Sequence, residues 1–81
     1  MKDRRLAVDL AKGVFQVVLA EGRSRVVWKK RWRRSQVLSQ MAQLAPCLVV
    51  MEACGTAHYW AREMGKLGHE VMLIPAHEVT P

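Results

Sequence analysis

Two acidic residues, Asp9 and Glu52, have the type and position from which metal chemistry can be predicted. Each lies at or near the end of an apolar run, just before a glycine-containing turn. In open α/β sheets, ligands bind at the carboxyl ends of the strands. If the two strands are parallel neighbours, their carboxylates emerge side by side, at a cost in desolvation and like-charge repulsion. A hard cation such as Mg²⁺ removes that cost, and a pair of such ions can support phosphodiester displacement.

A structural role for the same two acids is the alternative. Acids at strand ends often form turns or cap helices. This alternative is somewhat weaker for Glu52, because Glu is a poor turn residue. Asp9 and Glu52 together therefore predict a cation site, with a purely structural pair left open.

A cluster of positive charges forms the second candidate site. Phosphate contacts would come from Lys and Arg, and Trp32 could stack on a base. A basic edge strand that resists aggregation, with Trp32 packed on a helix, accounts for the cluster equally well. Lys12 either touches phosphate or balances Asp9, and the second role is slightly favoured. The candidate nucleic-acid-binding residues are Lys12, Lys29, Lys30, Arg31, Arg33 and Arg34.

The composition indicates one small domain or a piece of a larger one. The chain has 81 residues, 51% of them hydrophobic, and 13 Lys and Arg stand against 7 Asp and Glu. A thin core is possible, whereas two domains or a low-complexity chain are excluded. The net charge of +6 favours polyanionic partners, nucleic acid first.

The sequence predicts a cytoplasmic protein. No apolar run approaches the ~18 residues of a membrane span, and Asp9 and Lys12 interrupt the stretch that follows the basic start. We therefore expect neither a membrane anchor nor secretion. Cys47 and Cys54 are interpreted as small buried thiols, too far apart for a disulfide, which fits a reducing compartment.

The hydrophobic pattern predicts an α/β fold with a mixed sheet. Strands are expected at residues 5–11, 14–20 and 25–32, the last at an edge because one of its faces is basic. Along the third strand, one face is predicted to carry Val26, Trp28, Lys30 and Trp32. The intervening residues, which are mostly basic, are predicted to lie on the other face. The first three strands can form an antiparallel meander.

The second half predicts helix, strand, helix, strand. The first helix is expected to begin after Ser35 as its N-cap and to end before Pro46. The second helix is expected to begin after Thr56 as its N-cap and to end at Gly68. The runs 47–51 and 71–74 read as strands buried on both faces. A right-handed parallel crossover joins them. The full order is strand, strand, strand, helix, strand, helix, strand.

Several segments resemble a known family. Residues 8–12 (Val-Asp-Leu-Ala-Lys), 14–17, 33–38, 50–62, 67–71 and 73–75 are similar to the DEDD-type insertion-sequence transposases, a bridge-RNA-type recombinase family. The resemblance implies a RuvC-like, ribonuclease-H-like domain in which Asp9 and Glu52 are the first two of four catalytic, metal-binding acids. It implies Mg²⁺ as cofactor, DNA as the partner that is cut and rejoined, and, in some members, a structured guide RNA encoded by the element.

The family pattern extends beyond this chain. Its third and fourth acids, and a C-terminal domain with a serine implicated in strand exchange, would follow residue 81. Residues 1–81 are therefore expected to be the N-terminal part of a RuvC-like catalytic domain, with an incomplete sheet, no second domain and no activity alone. Such a sheet leaves one face bare, which predicts a homodimer or higher oligomer.

Two other functions remain as alternatives. A small basic nucleic-acid-binding module without catalysis would make Asp9 and Glu52 structural. A fragment of an actin-like ATPase is weaker, because that fold expects a glycine-rich phosphate hairpin after its first acid. The segment 12–14 supplies only Gly13.

Overall fold

The computed structural model describes residues 3–23 and 25–75 and has the predicted α/β class with a five-stranded mixed sheet. Short turns separate its elements, and most of these turns contain a glycine. The elements are β1 (Arg4–Asp9), β2 (Val14–Glu21), β3 (Arg25–Arg33), a 3₁₀ turn (Arg34–Gln36), α1 (Val37–Gln43), β4 (Leu48–Glu52), α2 (Ala57–Lys66) and β5 (Glu70–Ile74).

The strand order across the sheet is β3-β2-β1-β4-β5. The first three strands pair antiparallel, whereas β1 pairs parallel with β4 and β4 with β5. β3 lies at an edge, as its basic face predicts. The order makes β1 and β4 neighbours although about forty residues of chain separate them, and this adjacency positions the candidate site.

The core lies on one face of the sheet, where α1 and α2 pack against alternate strand residues. Val37 and Met41 of α1, and Ala57, Trp60 and Met64 of α2, join this single buried cluster. The rings of Phe15 and Trp60 meet edge to face, with centroids 5.1 Å apart. The strand residues in the cluster are Leu6, Val8, Phe15, Val17, Leu19, Trp32, Val49 and Met51.

The opposite face, called here the open face, is not covered by any element of the described ranges. The prediction that the last two strands are buried on both sides is therefore wrong. β4 alternates between buried and partly exposed residues, and on β5 Met72 and Ile74 are 50% and 42% exposed. The uniformly apolar runs correctly indicate the strands β4 and β5, but only one side of each strand is covered.

Two further expectations on local structure are corrected. Ser35 does not cap α1, because it lies inside the 3₁₀ turn and Gln36 is the N-cap. The Gln36 side-chain oxygen instead accepts a hydrogen bond from the Arg33 amide at 3.0 Å. Val26 is 50% exposed and does not join the core, because a register shift between Leu19 and Ala20 aligns Val26 with Ala20.

α2 begins and ends as predicted, after Thr56 and before Gly68. Gly68 has φ +97°, a backbone conformation that favours glycine. Its amide donates to the Gly65 carbonyl, and the His69 amide donates to the Met64 carbonyl, which is the Schellman arrangement of a helix end. No helix in the described part of the chain has the length and apolar character that crossing a membrane requires.

Candidate functional site

The structure brings the two predicted acids to the same edge of the sheet. Val8 of β1 and Met51 of β4 are register partners in parallel strands, so Asp9 and Glu52 follow them at equivalent positions. Neighbouring strands lie about 4.8 Å apart. Val8 and Met51 face the helices, so strand alternation turns both acids to the open face.

Asp9 and Glu52 line one shallow depression of that face. Its floor and walls include Gln16 and Val18 of β2, Val50 of β4 and Ile74 of β5. Both acids are exposed, and within residues 3–23 and 25–75 neither forms an ion pair. Two like charges on adjacent strands repel each other, so the arrangement favours a bound cation.

The donor set of this depression suits a hard metal ion only in part. Carboxylate oxygens are ligands that Mg²⁺ prefers, usually one or two of them per ion together with water and phosphate. Among the described residues, no group of three or more His, Cys, Asp or Glu side chains could hold a metal. Within the described residues, Asp9 and Glu52 are therefore two possible oxygen ligands without a third acid grouped with them.

The six predicted cationic residues do not form one patch. Lys29, Arg31 and Arg33 alternate with residues that face the helices and so lie on the open face. Lys30 lies on the other side, with its Nζ 4.5 Å from the centre of the Trp28 ring. Lys12 and Arg34 line a separate pocket beside the start of α2.

Trp32 is packed in the core and is only 6% exposed. Of its two predicted roles, the structure shows packing, and a ring this buried cannot stack on a base. Trp28 packs against the same core, and the two rings make a tilted contact along β3 with centroids 6.2 Å apart.

His69 is a buried polar residue that sequence reasoning did not single out. Its Nε2 lies 2.8 Å from the Met41 carbonyl at the end of α1, and the Cys47 amide lies 3.3 Å from its Nδ1. A neutral ring with the proton on Nε2 satisfies both contacts, donating to Met41 and accepting from Cys47. No local sequence pattern indicates this role of His69, because its partner Met41 is 28 residues away in sequence.

The two cysteines are free, and they differ in environment. Cys47 is partly buried beside His69, and burial raises the pKa of its thiol, an effect that the positive charge of Arg4 partly offsets. Cys54 is exposed in the connection before α2. The prediction that both thiols are buried is therefore wrong for Cys54.

Fold and site together define the class: an α/β domain with two carboxylates at the carboxyl ends of adjacent parallel strands. The chain is 52% identical over 95% of its length to a probable family 20 transposase from Pseudomonas aeruginosa. It is 37% identical over 94% of its length to the transposase for insertion sequence element IS1328 from Yersinia enterocolitica. The transposase for insertion sequence element IS1111A from Coxiella burnetii is 40% identical over the whole chain.

These matches confirm the resemblance to insertion-sequence transposases. The chain spans only 23%, 23% and 22% of the length of these three relatives. No protein-family profile matches it. The chain is therefore related to a segment that makes up less than a quarter of such a transposase.

Proposed function

We propose that this chain is the part of an insertion-sequence transposase that supplies the first two acids of a RuvC-like, ribonuclease-H-like centre. The observation that carries the proposal is the placement of Asp9 and Glu52 at equivalent ends of the parallel strands β1 and β4. Both acids line the same depression. The sequence relationship to transposases supports a DNA substrate.

Asp9 and Glu52 would hold Mg²⁺ through their carboxylate oxygens. The bound ion would supply positive charge for phosphoryl transfer, stabilising the attacking and leaving oxygens of a phosphodiester. The chain's own contribution is positional. Backbone pairing of β1 with β4 fixes the two acids side by side, and the helices on the far face anchor both strands through buried side chains.

Complete catalysis requires more acids than these. Four metal-binding acids define the DEDD pattern, and residues 1–81 supply two residues that match it. The described residues hold no third acid grouped with Asp9 and Glu52. We therefore propose that this stretch alone does not cut or rejoin DNA.

The proposed partners are DNA, a structured guide RNA where the family member uses one, and a second copy of the chain. The second copy would cover the apolar half of the open face, where Val50, Met72 and Ile74 lie. Sheets with parallel strands are usually covered on both faces. A monomer measured by light scattering at tens of micromolar would contradict this part of the proposal. Free thiols fit a cytoplasmic location.

Thermal unfolding with and without Mg²⁺ tests the metal site. At a Mg²⁺ concentration tenfold above Kd, binding stabilises the fold by about 1.4 kcal/mol, which raises Tm by several degrees. We expect this rise in the unmodified chain and its loss in Glu52→Gln and Asp9→Asn. Glu70→Gln is the matched control, because Glu70 is an exposed acid on β5 away from the depression.

An equal Mg²⁺ effect in all four proteins, or none in the unmodified chain, would overturn the metal site. The basic, non-catalytic nucleic-acid-binding module would then account better for the chain. The substitutions Glu52→Gln and Asp9→Asn also distinguish the transposase centre from the non-catalytic module. If the two acids are purely structural, these substitutions change only the stability measured without Mg²⁺.

A further inference from the structure

β3 divides its positive charges between the two faces of the sheet. Trp28 and Trp32 lie on the helix side, where they pack against the core. Lys29 and Arg31 alternate with them and lie on the open face, as does Arg33. The six consecutive basic or aromatic residues 28–33 therefore do not present one continuous charged surface.

The three open-face cations have no acid opposite them. Their register partners on β2 are Val18 for Lys29, Gln16 for Arg31 and Val14 for Arg33. In the part of the chain that the structure describes, none of these three cations forms an ion pair. By contrast, Arg4 on β1 pairs with Glu21 at 2.8 Å.

The spacing of these cations is regular. Alternate residues of a strand are about 6.7 Å apart, a separation comparable to that of successive phosphates along one polynucleotide strand. A basic edge that only prevents aggregation needs charge on the strand. It does not need three unpaired charges aligned on the face that also carries the acids.

The row of cations leads to the edge where the acids lie. β3 runs parallel to β1, because each pairs antiparallel with β2. It therefore ends at the same edge as Asp9, and the Arg34 amide there donates to the Gly13 carbonyl at 3.0 Å. Across the sheet, Arg31, Gln16 and Asp9 form one row of register partners, so Arg31 is about two strand spacings, roughly 10 Å, from Asp9.

We propose that Lys29, Arg31 and Arg33 form a phosphate ladder that binds successive phosphates of one nucleic-acid strand on the open face. The ladder directs that strand towards the edge that carries Asp9 and Glu52. Lys30, engaged with Trp28 on the helix side, is outside it. The inference rests on the nucleic-acid partner of the proposed function and specifies which charges bind it.

Binding of the 81-residue chain to a short fluorescent oligothymidylate, followed by anisotropy at several salt concentrations, tests the ladder. Lys29→Ala and Arg31→Ala should each weaken binding roughly threefold to tenfold and lower the salt slope by about 0.7, the value for one phosphate contact on a single strand. Lys30→Ala is the matched control, because it removes the same charge from the next residue of the same strand. It should leave affinity and slope unchanged.

Equal losses in Lys29→Ala and Lys30→Ala would overturn the ladder and leave a non-directional basic strand. Absence of binding by the unmodified chain at low salt would overturn it as well. Circular dichroism of each variant checks that the fold is retained. Failure of the ladder is distinguishable from failure of the proposed function, because the Mg²⁺ response of Glu52→Gln does not depend on these cations.

Discussion

The two faces of the sheet are built from the same strands and differ in almost every other respect. On the helix-covered face, Leu6, Phe15 and Met51 are essentially inaccessible. On the open face, one residue after the buried Val8 and Met51, lie the carboxylates of Asp9 and Glu52. The alternation of a strand thus lets a thin domain separate its stabilising side chains from those available for chemistry.

The largest expected difference between the faces is in the loss of stability when a methionine is truncated. Met51 is 1% exposed on β4, and Met72 is 50% exposed on the neighbouring β5. Met51→Ala should lower the free energy of unfolding by about 2–5 kcal/mol through lost burial and a cavity. At protein concentrations low enough to keep the chain monomeric, Met72→Ala should lower it by less than about 0.5 kcal/mol. Urea unfolding of both variants measures this difference.

Similar losses in the two methionine variants at low protein concentration would contradict the comparison. A Met72→Ala loss that appears only at higher protein concentration would instead show that the proposed second copy covers the open face. Repeating the measurement at several protein concentrations separates these cases, because stability that comes from association depends on concentration.

A smaller effect is expected at His69, which ties α1 to the start of β4 from the covered side. His69→Phe removes the partners of the Met41 carbonyl and the Cys47 amide. The expected cost is about 1–3 kcal/mol, since buried polar groups would lose their hydrogen bonds. His58→Phe, at an exposed position of α2, is the control and should change stability by less than about 0.5 kcal/mol. Equal effects of the two changes in thermal unfolding would count against the buried contact.

The smallest expected effect concerns the reactivity of the two thiols and leaves the fold unchanged. Burial raises the pKa of the Cys47 thiol, so less reactive thiolate is present at a given pH. Iodoacetamide at mildly alkaline pH should therefore modify exposed Cys54 faster than Cys47. Mass spectrometry of the peptides measures both rates, and denaturant should equalise them. Faster modification of Cys47 in the folded chain would refute this.

Local sequence patterns predicted much of the fold and the pair of acids. Apolar runs with an acid at or near their end, followed by a glycine-containing turn, located β1 and β4 and placed Asp9 and Glu52 near the ends of these strands. β1 ends at Asp9, two residues earlier than the predicted run 5–11. Thr56 and Gly68 mark the limits of α2. The end at Gly68 is closed by hydrogen bonds between neighbouring residues, whereas Thr56 occupies the N-cap position without a side-chain capping hydrogen bond.

What sequence could not predict depends on contacts between distant elements. The apolar runs of β4 and β5 do not reveal that only one side is covered, and the bare face was predicted from the family resemblance instead. The displacement of Val26 from the core follows from a register shift in the pairing of β2 with β3, where Val27 is the extra residue, and no residue type signals this shift. His69 acquires its role only because α1 and β4 meet beside it.

The most direct test of the central claim is paramagnetic broadening of amide resonances by substoichiometric Mn²⁺, a substitute for Mg²⁺. If Asp9 and Glu52 share one cation, the amides around both residues should broaden together, and Glu52→Gln should abolish the effect at both. Broadening near only one of the two acids, or stronger broadening around Glu70 on β5, would contradict the shared site.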